Sequence, residues 1–364
     1  MMPSEGKLKD MSHQPIYRQV EAFLKEQIEE GVFSPGQMLP SVKELCRQFN
    51  GINHLTVRQA IKNLAKQGLV ETFKGKGTFV AHRTKTVAMV VPSLDNDELM
   101  IKVCNSVQRF FENEQTQTVI LNARQDMEKA FDHVGRLQKM RLDGAIIFPV
   151  LSATIIASIC RLKHDGFPVV LIDRVLEDIE LPSVVADCWK GSYELAMHLI
   201  ARGRKRIAWV GQVAGTSTRA RHDGFRDALI EKGVAGRSVV FDKRNYPVMP
   251  VERDYREMVG NAVRQLMAET PRPDAIMFFT DHWAILGIEE LKRMGVKIPE
   301  EVAVTGFDDR REATLCIPKL ATARYPMEKL GEEAAKLLLA RINDKNMPPK
   351  QVVLPVELVI RESA

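Results

Sequence analysis

The sequence predicts two folds in one chain: an α+β winged helix-turn-helix domain at the N-terminus, then a two-lobed α/β body built on parallel sheets. Three observations predict this. The chain has 364 residues, more than one ordinary compact domain holds. Its net charge of +5 is confined to the first quarter. Residues 1–86 hold 13 basic and 8 acidic side chains, and the remainder holds 39 of each. After residue 86 the apolar pattern changes from amphipathic helix to buried strands alternating with helices.

In the N-terminal part, Ile16, Val20, Leu24 and Ile28 recur at helical spacing, and Gly31 ends the helix. Ser34-Pro35-Gly36 is a turn. Ser41 and Glu44 have the spacing of a capping box, opening a second helix that runs to Phe49. A third helix spans Asn53 to Gln67, with Val57, Ala60, Ile61 and Leu64 as its inward stripe and Gly68 as its stop. Two strands, 69–72 and 78–80, flank a Gly75-Lys76-Gly77 tip. Two helices joined by a short turn and followed by a hairpin make a winged helix-turn-helix. The boundaries predicted are 1–80 for this domain, 81–86 for a polar linker and 87–364 for the body.

The body presents apolar runs at 87–91, 118–121, 144–148, 168–172, 207–210, 275–279 and 302–305. Helical segments lie among them, at 126–140, 191–202, 219–232, 253–269, 282–294 and 327–343. Near-continuous apolar strands are those of parallel sheets covered on both faces. About 275 residues is too much for one doubly wound sheet of common size, so two lobes are expected.

Several classes lack support. No run of about 18 apolar residues is present, so no membrane-spanning helix is expected. Met1 to Asp10 are polar, without a signal-peptide core, and the five scattered cysteines form no C-x-x-C pair. Both point to a reduced, cytoplasmic setting without structural zinc. The eight histidines form no metal pair, and phosphate-loop, zincin and hydrolase motifs are missing. The chain is expected to be no enzyme, with neither cofactor nor metal.

The charge then has a use. Residues 43–85 carry nine basic and two acidic side chains, as a module meeting a polyanion would. The start of the third helix carries Asn53, His54, Thr56 and Arg58, where a recognition helix addresses base edges. Arg58 can fork onto guanine or a phosphate. Asn53 is either a helix cap or an adenine reader. Ser41 and Lys43 on the second helix, and Lys74, Lys76 and Gly77 on the wing, suit the DNA backbone or minor groove. Lys62 and Lys66 read better as solvated charges.

These residues carry a resemblance. Pro15-Ile16-Tyr17, Leu39-Pro40-Ser41, Thr56-Val57-Arg58 and Gly75-x-Gly77-Thr78-Phe79-Val80 resemble the GntR-family winged helix over about 65 residues. Members usually show Pro-Ser-Glu-Arg at the second helix and Ser-Arg before Thr-Val-Arg. Here Val42, Lys43, Asn53 and His54 stand at those places. The operator read is expected to differ accordingly.

The body resembles the LacI/GalR effector domain, a relative of periplasmic sugar-binding proteins. The motifs are Val169-Val-Leu-Ile-Asp173-Arg174, Arg221-x-x-Gly224-Phe225, Phe279-Thr-Asp281 and Gly306-Phe307-Asp308-Asp309. A GntR-type reader on a LacI-type sensor resembles the arabinose-repressor family. The resemblance implies a periplasmic-binding-protein-like fold with a ligand cleft between lobes, lined by Asp173, Arg221 and Asp281. Asp and Arg offer paired acceptors and donors to sugar hydroxyls. Helix capping or a salt bridge is the alternative use of Asp173 and Asp281. Tyr246 and Trp283 are candidates to cover a sugar face. Asp308 and Asp309 are expected to order a loop and hinge rather than to bind ligand.

The function expected is therefore a ligand-responsive transcriptional regulator. As a homodimer it would repress an operator on double-stranded DNA and be released by a small-molecule effector, a monosaccharide or derivative. The alternatives are a solute-binding protein for transport, an activator of the same architecture, and a regulator fused to an enzyme-like domain carrying pyridoxal phosphate. No membrane partner is expected.

Overall fold

The computed structural model describes residues 15–81, 84–95, 97–150, 152–241 and 252–364. The chain divides into two compact units, Met1–Thr84 and Lys85–Ala364.

The first unit has helices α1 (Ile16–Glu29), α2 (Val42–Gln48) and α3 (His54–Lys66), then strands β1 (Val70–Phe73) and β2 (Gly77–Val80). The Ser41 capping box forms as the spacing predicts. The Glu44 N–H donates to Ser41 Oγ at 3.3 Å, and the Ser41 N–H donates to the Glu44 carboxylate at 2.7 Å. The two strands pair antiparallel, Val70 opposite Val80, around a turn that includes Gly75 at φ +80°. Residues 37–39 lie against β2, where the Leu39 N–H donates to the Thr78 carbonyl. Val20, Leu24, Leu39, Leu45, Phe49, Val57, Leu64, Val70 and Val80 close the core. All three helices and both strands therefore face one small apolar centre.

In the second unit the first sheet collects β3 (Thr86–Val91), β4 (Gln117–Asn122), β5 (Gly144–Ile147), β6 (Val169–Ile172) and β7 (Ser183–Ala186). It gains β13 (Gln351–Leu354) from near the C-terminus, in the order β13-β7-β6-β5-β3-β4, all parallel. The second sheet has β8 (Arg206–Gly211), β9 (Ala235–Val240), β10 (Ala275–Phe278) and β11 (Ala303–Thr305), ordered β11-β10-β8-β9 and parallel. Between the strands run α4 (Glu98–Asn113), α5 (Met127–Arg136), α6 (Ala153–His164), α7 (Cys188–Ala201), α8 (Thr216–Lys232), α9 (Glu252–Met267), α10 (Asp281–Arg293) and α11 (Met327–Asn343). A short antiparallel ribbon joins β12 (Thr322–Arg324) to β14 (Glu357–Val359). Each sheet is the heart of one lobe, and the chain passes to the second lobe through α7 and returns through α11.

The apolar runs of the sequence are these strands. β7, β9, β12 and β13 were not anticipated, nor were α4 and α6. β9 is almost wholly exposed and has no apolar run to betray it. β13 alternates exposed and half-buried residues at a sheet edge. Helix α11 lies so close on α4 that a Cβ on Gly331 would stand 2.6 Å from the Val103 carbonyl oxygen, a backbone atom that cannot give way as a side chain can.

Candidate functional sites

The basic unit holds the first site. Asn53 begins α3 as its cap: its Oδ1 accepts the Leu55 N–H at 2.9 Å, satisfying an otherwise free helix donor. Its acceptor is therefore engaged, which favours the capping alternative over the adenine reader. Ser41 is likewise a cap, and its hydroxyl proton remains available to a phosphate. Lys43, His54 and Arg58 are exposed, and Thr56 is half-buried. Lys43, His54 and Arg58 share the wall of an open depression of about 630 Å³ between α2 and the start of α3. Lys74, Lys76 and Gly77 sit exposed at the hairpin tip. One stripe of α3 was not read from the sequence as a unit. Leu55, Arg58, Gln59 and Lys62 recur three and four residues apart and are all exposed, opposite the buried Val57, Ala60, Ile61 and Leu64.

The second site lies in the body, where the two lobes meet. Arg221, on α8, is 6% exposed. Its Nη2 lies 3.0 Å from Asp308 Oδ1, and its Nη1 donates to the Phe279 carbonyl at 2.6 Å. The guanidinium lies 3.9 Å over the Phe307 ring and 5.4 Å from that of Tyr325. Tyr325 in turn donates its hydroxyl to Asp173, which follows β6 in the other lobe. Arg174 Nε stands 3.3 Å from the second oxygen of Asp173 and its guanidinium lies over Phe148. Val175 N–H reaches Thr216 at the start of α8, and Arg219 pairs with Glu177. Residues 173–177 of the first lobe thus meet α8 of the second.

Electrostatics hold this cluster in one state. Burial pulls the Arg221 guanidinium down, but Asp308, Cys188, Tyr325 and Asp173 raise it above its ordinary value. Burial raises the Asp308 carboxyl, against Arg221 and Arg310. A guanidinium at 3.0 Å keeps the pair charged. Burial, then the Asp173 charge, raises the Tyr325 hydroxyl, so it stays a donor. Burial pushes the Cys188 thiol up to about 11, which leaves it unreactive. Asp173 has φ +69° and Asp308 φ +118°, backbone conformations uncommon outside glycine and of the kind that gathers at functional sites. Arg221 Nε is buried without a protein partner, as is Arg310 Nε on the loop after β11.

Three expectations change here. Asp281 lies in the second lobe but is wholly buried, one layer behind the cluster. Its oxygens accept from the Thr322 hydroxyl and from the Arg310 N–H at 2.7 Å, so it braces the loop carrying Asp308 instead of lining a cleft. Trp283 is 2% exposed, its ring packed among Phe241, Tyr255 and Phe279; a core tryptophan has no face to offer a sugar. Asp308 and Asp309 part company. Asp309 orders the hinge by pairing with Arg324 and Arg361, whereas Asp308 faces Arg221. Tyr246 lies outside the described residues. Sequence reasoning missed Asp308 in this role, together with Phe307 and Tyr325. Its only signal was the Gly306-Phe307-Asp308-Asp309 motif, which does not say which acid turns inward. Among the described residues no group of acids, histidines and cysteines could hold a metal ion, and no helix is long and apolar enough to cross a membrane.

Known proteins repeat both halves. Residues 16–80 match the model of the bacterial regulatory proteins, gntR family, and residues 196–364 match a periplasmic binding protein-like domain. The arabinose metabolism transcriptional repressor of Halalkalibacterium halodurans is 25% identical over 366 residues, covering 95% of this chain and 96% of that protein. The HTH-type transcriptional repressor PurR of Erwinia tasmaniensis is 30% identical over 251 residues, 68% of this chain and 70% of that one. Among solved structures, a complex of the transcriptional regulator CelR with cellobiose superposes with a TM-score of 0.67 at 22% identity, covering 90% of this chain and all of that one. The alternatives of a transport protein and of an enzyme fusion fall away. The chain belongs to the bacterial transcriptional repressors that carry a periplasmic-binding-protein-like sensing body, here behind a gntR-family winged helix.

Proposed function

We propose that this repressor acts in the cytoplasm as a homodimer on a two-half-site operator and is released by a sugar or sugar derivative held between its lobes. The cluster of Asp173, Arg221, Asp308 and Tyr325 is the proposed effector site. The observation that carries this is Arg221: a buried guanidinium on α8, linked through Phe307 and Tyr325 to Asp173 of the other lobe, with an Nε that no protein atom satisfies. A buried donor without a partner costs about 1–3 kcal/mol, which a ligand oxygen would recover. Sugar hydroxyls both give and take hydrogen bonds, and the cluster mixes carboxylates with guanidinium donors. The relatives support the same reading, one named for arabinose metabolism and one solved with cellobiose. In the winged helix, Arg58 and His54 would read bases while Ser41, Lys43, Lys74, Lys76 and Gly77 hold the backbone.

A ligand that binds the closed lobes better than the open ones shifts that equilibrium, and the shift is felt at the DNA as a coupling of about 1–3 kcal/mol. The test is a thermal-shift screen of the full chain against monosaccharides, their phosphates and their acids, followed by a gel shift with any compound that stabilises it. One chemical family should raise the melting temperature and dissociate the DNA complex. Tightening of that complex would reverse the sign, and no response to any sugar would remove the effector class.

A further inference from the structure

Leu55 is a large apolar side chain left 61% exposed on the first turn of α3, one residue after His54 and on the same stripe as Arg58. Among the described residues of its own unit it is left out of the apolar core, while Val57, Ala60, Ile61 and Leu64 supply the helix's core face. The first turn of a recognition helix is the part that goes deepest into the major groove. There an aliphatic group has one apolar feature to meet, the C5-methyl of thymine. Along α3, Leu55 and Arg58 are about 4.5 Å apart in rise, close to the ~3.4 Å step between base pairs. We infer that Leu55 is a specificity-determining residue that packs on a thymine methyl in each half-site, within one or two base pairs of the base or phosphate met by Arg58.

The inference rests on the DNA reading assigned to α3 and extends it to a residue without charge or hydrogen-bonding groups. Leu55 adds discrimination without salt dependence, because it neutralises no phosphate. Asn53 is engaged in capping, so the helix start has fewer polar readers than its sequence suggests.

The experiment begins with the full chain and a random-sequence duplex library, from which bound duplexes are selected. Each thymine of the recovered half-site is then replaced singly by deoxyuridine, which removes only the methyl. The wild type should lose about fourfold in affinity at one thymine per half-site, the worth of one buried methyl. Leu55→Ala should bind the thymine and deoxyuridine duplexes equally, with an unchanged melting temperature because the side chain is outside the core. Finding no methyl-dependent thymine, or an equal methyl effect in Leu55→Ala, overturns the inference and leaves the DNA reading in place. Recovering no shared sequence at all overturns both.

Discussion

The Arg221 guanidinium stands 3.0 Å from the Asp308 carboxylate, with each side chain 8% exposed. A pair so placed is costly to bring out of water and more costly to break. Removing one partner leaves the other charged and buried. Arg221→Ala should therefore destabilise the body by about 3–5 kcal/mol in denaturant unfolding. Arg221→Ala with Asp308→Asn should recover part of that loss. Both variants should keep DNA affinity and lose the effector response. A single variant as stable as the wild type, or one that still responds, contradicts the assignment of the cluster.

Asp281 makes stability depend on pH. Burial and then the Asp308 charge raise its carboxyl to about 7, although the Thr322 hydroxyl and the Arg310 N–H pull it down. The folded chain then holds a proton between about pH 4 and 7 that the unfolded chain releases. Stability from this group is greatest at the acid end of that window and falls as pH rises through it, by at most ~1.4 kcal/mol per pH unit. Asp281→Asn keeps an acceptor for Thr322 but does not titrate. Melting curves of wild type and variant should diverge as the pH rises from 5 to 7, and parallel curves would contradict the shift.

Asn53 separates capping from reading. Asn53→Ala should lower the stability of the winged-helix unit by about 1 kcal/mol, and Asn53→Ser should restore most of it. The sequence preference in a selection experiment should stay the same in Asn53→Ser. A changed preference at one base pair would make Asn53 a reader after all.

Charge predicts the salt response. About six phosphate contacts per winged helix give a log–log slope of affinity against salt near −5. Lys74→Ala and Lys76→Ala should each flatten that slope by about one. Arg58→Ala should cost about 1–3 kcal/mol and relax specificity where it contacts a base. A flat salt dependence in the wild type would place the basic cluster away from DNA.

Much of this molecule was already visible in the linear chain, because its signals are local. Ser41 and Glu44 are three residues apart, and a capping box needs nothing else. Val57, Ala60, Ile61 and Leu64 state the inward face of α3 by spacing alone, and the buried strands β3, β5, β6, β8, β10 and β11 announce themselves as apolar runs. The net positive charge of the first quarter is legible in the chain alone, since charge is additive along it.

The body's site is not local, and only tertiary structure could decide it. Tyr325 and Asp173 are 152 residues apart and touch because α11 and β13 carry the chain back to the first lobe. Asp281 and Asp308 are the same residue type on neighbouring strand ends. Burial and available partners separate them: Asp281 is closed in by Thr322 and Arg310, while Asp308 turns at φ +118° to face Arg221. Trp283 became core for the same reason, since aromatic neighbours from three segments surround it. The sequence by itself determined the helix caps, the inward stripes of the N-terminal helices and most of the buried strands, because each is a local pattern. The packing of distant segments decided which of the candidate site residues keep a free hydrogen-bonding edge, because that depends on neighbours the local pattern does not contain.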